Sequence, residues 1–224
     1  MAFGQFKTIY SVEKMSGWGS CSACAGKGGN GPVAPYYMKR GIGSPSLDGH
    51  SSEYHIGGST AYSNALFWKS VRTQMGSAIS SARHFIYDAY FYVKNPTAVQ
   101  AIEFDVNQYV NHHALVLGTQ CNVRAGHHWD IWDNPNKRWV SSGAYCPTPT
   151  AYKWHHVIVE VERVSGDKLR YVSITLDGSK HYLNRYYGPR STSWTGVTLN
   201  FQIDGNSHQD DYSVWVNKLT FKYY

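Results

Sequence analysis

Trp154-His155-His156-Val157-Ile158-Val159-Glu160-Val161 opens a run in which apolar and polar residues alternate as far as Val164. Ser165-Gly166-Asp167 interrupts it, residues 169–176 resume it, Asp177-Gly178 interrupts it again, and residues 180–187 follow. Successive side chains on a strand point to opposite faces, and Gly or Asp tolerates the tight reversal between strands. Period-two alternation between such turns therefore predicts neighbouring antiparallel strands.

The same pattern extends outward in both directions. It predicts further strands at residues 6–12, 33–39, 52–56, 65–69, 84–93, 98–110, 114–121, 128–133, 137–140, 197–204 and 214–224. Lys94-Asn95-Pro96, Asp133-Asn134-Pro135-Asn136 and Asp204-Gly205-Asn206 supply turns between them. Residues 70–81 are read as one short helix. No repeat and no linker interrupts the pattern, so residues 1–224 are read as a single β-sandwich domain with a loop-rich stretch over 1–50. So many strands with so little helix point to a sandwich or a barrel.

Composition narrows the function classes. The 224 residues are 42% hydrophobic, 16% charged and 15% aromatic, with 18 Tyr and 8 Trp, which excludes a disordered chain and a charge-rich coiled coil. No run approaches the roughly 20 apolar residues of a membrane helix, so no membrane partner is expected. The net charge is +6, but the basic residues are scattered and no nucleic-acid motif is present, so no nucleic-acid partner is expected either. The four cysteines are Cys21, Cys24, Cys121 and Cys146. Cys21-Ser-Ala-Cys24 sits in a glycine-rich stretch without a second CxxC, which argues against a zinc site. Two disulfides, Cys21–Cys24 and Cys121–Cys146, are the expectation, and they imply an oxidising compartment and a secreted protein. No signal-peptide pattern follows Met1-Ala2, so any export signal is expected to have been removed.

The 154–178 hairpin, with its "W-H-h-V … Y-V … L-D-G" pattern, resembles the laminin-G-like members of the concanavalin A-like lectin/glucanase superfamily. So does the ending Tyr212-Ser213-Val214-Trp215-Val216-Asn217-Lys218-Leu219-Thr220-Phe221. The resemblance covers residues 80–224. It implies a two-sheet antiparallel jelly roll with a concave groove, in which Trp154 closes the sandwich; among the many aromatics, Trp154 and Trp215 are read as structural.

Ala101-Ile102-Glu103-Phe104-Asp105-Val106-Asn107-Gln108 then becomes the informative strand. Alternation turns Ile102, Phe104 and Val106 to the core and Glu103, Asp105 and Asn107 to the other face. Retaining glucanases of the superfamily carry E-x-D-x-E there, with a nucleophile, a supporting Asp and an acid/base. Glu103 and Asp105 match the first two and are the catalytic candidates if the protein is an enzyme. The third is Asn107, or Gln108 in a bulged register, and an amide cannot protonate a leaving group. Legume lectins bind metal ions through a similar V-E-F-D-T strand, but Tyr109 stands where their Asn is expected. No cofactor is required by this reading, and a structural Ca²⁺ remains open. The pairs His112-His113, His127-His128 and His155-His156, with Asp130, are the transition-metal candidates.

Asp88, Tyr90 and Tyr92 share one strand parity, and Asn200, Gln202 and Asp204 share another. Placed beside Glu103–Asn107, and with Trp129, they would line a groove suited to a sugar. The expected function is a secreted monomer that binds or processes a polysaccharide or oligosaccharide. The alternatives are a polysaccharide lyase, a hydrolase with a non-standard acid/base, and a non-catalytic adhesion or structural module. The R-x-E-x-R and Q-I-H motifs of jelly-roll alginate lyases are absent.

Overall fold

The computed structural model describes residues 5–22 and 34–224. Among these, seventeen strands form two antiparallel sheets packed as a sandwich, not a closed barrel. The first sheet contains β1 (Lys7–Ile9), β3 (Tyr36–Ile42), β4 (Ser51–Ile56), β6 (His84–Val93), β12 (Lys153–Val164), β13 (Lys168–Leu176), β14 (Ser179–Tyr187) and β17 (Tyr212–Tyr223). Its order is β14-β13-β12-β6-β17-β4-β3, with β1 also on β17. The second contains β2 (Trp18–Ser22), β5 (Asn64–Ser70), β7 (Val99–Val110), β8 (His113–Leu117), β9 (Thr119–Asn122), β10 (His128–Asp133), β11 (Arg138–Tyr145), β15 (Arg190–Ser191) and β16 (Gly196–Gly205). Its order is β11-β10-β9-β7-β16-β5-β2, with β8 pairing both β7 and β15.

Alternation decides what enters the core. Phe85, Tyr87, Ala89, Phe91 and Val93 of β6 face Ile102, Phe104 and Val106 of β7 and Leu199, Phe201 and Ile203 of β16, all buried. Phe104 is the hub: Tyr87, Phe91 and Phe201 lie 5.4–5.9 Å from its ring centroid in edge or tilted geometry.

Several sequence expectations change. The 114–121 strand breaks at Gly118 into β8 and β9, and the 70–81 helix is two single turns, α1 (Arg72–Met75) and α2 (Ala78–Ser81), parted by Gly76. The 6–12 strand stops at Ile9, because Ser11 adopts positive φ and a 3₁₀ turn follows over Val12–Lys14. Trp154 does not close the sandwich. Val157, Val159 and Val161 hold the inward parity of β12, so Trp154 sits on the outer face against Tyr92, ring centroids 5.4 Å apart. Trp215 shares that outer face and packs edge-on against Tyr92.

Cys121 and Cys146 are bonded, tying β9 to the segment after β11. Cys21 is also in disulfide form. Cys24 lies outside the described residues, and so does the expected Cys21–Cys24 pairing.

Candidate functional site

Strand β7 runs through the middle of the second sheet, with β16 on one side and β9 and β8 on the other. Its core parity leaves Glu103, Asp105 and Asn107 on the sheet's outer face. Register places Gln202 beside Glu103, Asn200 beside Asp105 and Thr198 beside Asn107. On the other flank Gln120 stands beside Glu103, and Asp130 stands beside Gln120. The pairing of β7 with β16 runs unbroken past Asn107, so the plain register holds. Gln108 faces inward, where its amide donates to the Ile79 and Ala82 carbonyls.

A cleft of about 150 Å³ opens on this face. Glu103, Asp105, Asn200 and Gln202 form its polar floor, and Trp132, Trp139 and Arg190 wall it. The two indoles meet edge to face at 5.1 Å. Gly118 lets them close in: a Cβ there would lie 3.2 Å from both Trp132 and Trp139, and 3.5 Å from Asp105 Oδ1.

Hydrogen bonds order the floor. The Gln202 side-chain amide donates to Glu103 Oε1 and also to Asp204 Oδ1 at 2.9 Å. In this orientation Gln202 Oε1 is left without a partner among the described residues. Asn107 Oδ1 and Asn200 Oδ1 are buried and unpartnered in the same sense. The Thr119 amide donates to Asp105 Oδ1 at 3.0 Å. Asp130 accepts from Gln120 and Asn122 and pairs with His128.

Three carboxyls share this small space. Burial, then the neighbouring Asp204 and Asp105 charges, pushes Glu103 well above the usual carboxylate range. Burial raises Asp105 to about 7, with Asp204 adding to it and the Thr119 bond opposing. Burial also raises Asp204 to about 7 against the Gln202 bond. The floor thus combines amide oxygens that have no protein partner among the described residues with carboxyls that hold their protons toward neutral pH.

The remaining sequence candidates go elsewhere. Asp88, Tyr90 and Tyr92 lie on β6, across the core, and face outward from the first sheet. There Asp88 pairs with His156 and Lys222, and Tyr90 stacks on the His156 ring. They therefore cannot line the same groove as Glu103. Trp129 takes the inward parity of β10 and is fully buried near Phe104, so it is a core residue. The histidines do not converge: His113 pairs with Asp167, His128 with Asp130, His155 with Asp177 and His156 with Asp88. No group of three or more His, Cys, Asp or Glu side chains among the described residues is placed to hold a metal ion. Sequence reading missed Arg190, because the two-residue strand β15 is too short to show alternation. It also missed Gly118, although an isolated glycine inside a strand pattern is the mark of a break or a close approach.

No protein-family model and no curated protein sequence matches the chain. Solved structures do. A cellulose-induced protein, Cip1, is similar at 11% identity over 95% of this chain and 96% of that one, with a TM-score of 0.54. Arcelin-5, a lectin-like defense protein from Phaseolus vulgaris, is similar at 10% identity over 99% of each chain, with a TM-score of 0.52. Alginate lyase vAL-1 from Chlorella virus is similar at 10% identity over 84% of this chain and 93% of that one, with a TM-score of 0.51. At these identities the likeness shows the fold alone, a jelly-roll β-sandwich.

Proposed function

We propose that the outer face of the second sheet is a glycan-binding groove. The observation that carries this is the cleft floor, where buried acceptor oxygens without partners lie beside two indoles. A buried polar atom left unpaired costs free energy, so such atoms are best accounted for by a ligand that donates to them. Sugar hydroxyls are donors, and the C–H faces of sugar rings pack on indoles. The same fold carries a lectin-like protein and an alginate lyase. The bonded cysteines support an oxidising, extracytoplasmic setting. We take the protein to act there as a monomer, without nucleic acid, since its basic residues are dispersed.

Titration calorimetry against a panel of neutral glycans and uronic-acid polymers tests the reading. On any glycan that binds, Glu103→Gln, which exchanges a protonated carboxyl for an amide, should weaken affinity by about 0.5–1.5 kcal/mol, the scale of a hydrogen bond between neutral groups. Asn200→Ala should weaken it as well. Unchanged affinity in both variants would place the site elsewhere.

One observation favours a second reading, hydrolysis. Glu103 keeps its proton where an ordinary carboxyl would lose it, the state from which a carboxyl protonates a leaving group. Reducing ends released by wild type and not by Glu103→Gln would support it. Release that survives the substitution would reject it.

A further inference from the structure

The cleft over the carboxyls does not stand alone on its sheet face. Beside it opens a wider recess of about 550 Å³, walled by Trp68, Tyr109 and Trp194, with Thr198 on its floor and Arg72 at its rim. The strand register places the two side by side on the same face. Trp68 on β5 stands opposite Asn200, which lines the first cleft. Thr198 stands opposite Asn107, and Tyr109 follows Asn107 on the same face of β7. Gln202 and Thr198 mark the two ends along β16, four residues apart, or about 13 Å of strand. That is a length for about two to three sugar rings.

The recess is built from aromatic surface that the core does not use. The Trp68 indole lies flat on Gly19 of the edge strand, where a Cβ would fall 2.3 Å from the ring, so only glycine lets it seat there. Trp194 is 69% exposed, with its ring centroid 6.0 Å from that of Tyr109. Between recess and cleft sits Asn107, 2% exposed, with Oδ1 unpartnered among the described residues.

Charge narrows the ligand. The floor carries Glu103, Asp105 and, bonded through Gln202, Asp204, together with the side-chain oxygens of Asn200 and Gln202, which have no partner among the described residues. Arg190 is the only cationic side chain lining the cleft among the described residues. A sugar carboxylate placed over this floor would add a negative charge beside carboxyls whose ionisation is already suppressed and has no proton to give the amide oxygens there, whereas a hydroxyl in the same place donates to them.

We propose that this face takes an extended, uncharged oligosaccharide, with one ring over the carboxyl floor beside Trp132 and Trp139 and further rings seated against Trp68, Tyr109 and Trp194. The proposal deepens the glycan reading of the same cleft and rests on it.

The test is titration calorimetry with neutral gluco- and manno-oligosaccharides, from disaccharide to hexasaccharide, and with oligoalginates of the same lengths. Wild type, Trp194→Ala and Asn200→Ala are compared, and circular dichroism confirms that the variants fold. Affinity for neutral chains should rise with length. Trp194→Ala should weaken the hexasaccharide about tenfold or more, the loss typical of an aromatic anchor, and leave the disaccharide unchanged. Asn200→Ala should weaken both. The proposal is overturned if Trp194→Ala leaves the hexasaccharide untouched or weakens both lengths equally, or if oligoalginates bind more tightly than neutral chains of equal length. Binding that Asn200→Ala does not alter, or no binding by any probe, would instead bring down the glycan reading and this proposal with it.

Discussion

Trp129 and Trp154 show how much one step of strand parity decides for a single residue. Trp129 has no exposed surface and packs 6.2 Å from the Phe104 ring centroid, in the middle of the sandwich. Truncating it opens a large cavity, so Trp129→Ala should cost about 3–5 kcal/mol. Trp154 lies on the outer face of the first sheet, where its chief ring partner is Tyr92. Trp154→Ala forfeits a cross-strand aromatic pair and should cost about 0.5–1.5 kcal/mol. Urea unfolding of the two variants measures the contrast, and equal losses would show that the parity of β10 or β12 is wrong. Glu13 is a residue that no motif announced. It is fully buried, and its two carboxylate oxygens accept the amides of Lys218 and Leu219, where β17 bulges. Its role depends on a partner some two hundred positions away, which local alternation does not register.

At the scale of elements, the Cys121–Cys146 bond is the clearest determinant of the site's wall. It joins β9 to the end of β11 and so closes a segment of 25 residues around β10, the strand bearing Trp132 and Asp130. In the loop-entropy view, closing a segment of this length contributes about 3 kcal/mol. The Cys121→Ser/Cys146→Ser double variant should lose about that much on urea unfolding, and its tryptophan fluorescence should respond less to a bound glycan because the Trp132–Trp139 wall loosens. A loss near zero would mean that the β9–β10–β11 unit is held by strand pairing alone. These strands were largely legible beforehand: β6 and β10 have the predicted bounds, and β7, β12 and β13 differ by one or two residues at an end. The faces of β7 were legible too, because Ile102, Phe104 and Val106 alternate with Glu103, Asp105 and Asn107. What alternation does not encode is which strand lies beside which. Asp88, Tyr90 and Tyr92 have the right residue types and a shared parity, yet β6 pairs with β12 and β17 and carries them to the opposite side of the molecule. Asn200 and Gln202 have the same credentials, and the pairing of β16 with β7 brings them to the cleft.

Across the whole molecule, two groups of carboxyls pull stability in opposite directions with pH. Asp105 and Asp204 titrate near 7 in the native state, raised by burial from the usual 3.8, and Glu103 is raised as well. Between those values the unfolded chain has released protons that the native cleft still holds. The stability these groups contribute is therefore full below the unfolded value and is lost as pH rises through about 7. Glu160 behaves oppositely. The His84 bond above all, with Ser173 and Lys180, lowers it to about 2 against desolvation. Asp48 is likewise lowered to about 2, its desolvation outweighed by bonds from Lys14 and Asn217. Their contribution is present above the unfolded value and is lost as pH falls toward 2. The sum predicts a stability maximum at about pH 4–5, falling on both sides, rather than a plateau at neutrality. Thermal unfolding of wild type should show a lower Tm at about pH 8 than at about pH 5, and Asp204→Asn, which keeps the shape and removes the titration, should reduce that difference. An identical fall in both proteins would mean that Asp204, and by the same burial its cleft neighbours, ionises near its ordinary value. Glu103 would then face a ligand as an anion, and the case for a proton donor on this floor would be lost, while the open amide acceptors beside it would still await a sugar's hydroxyls.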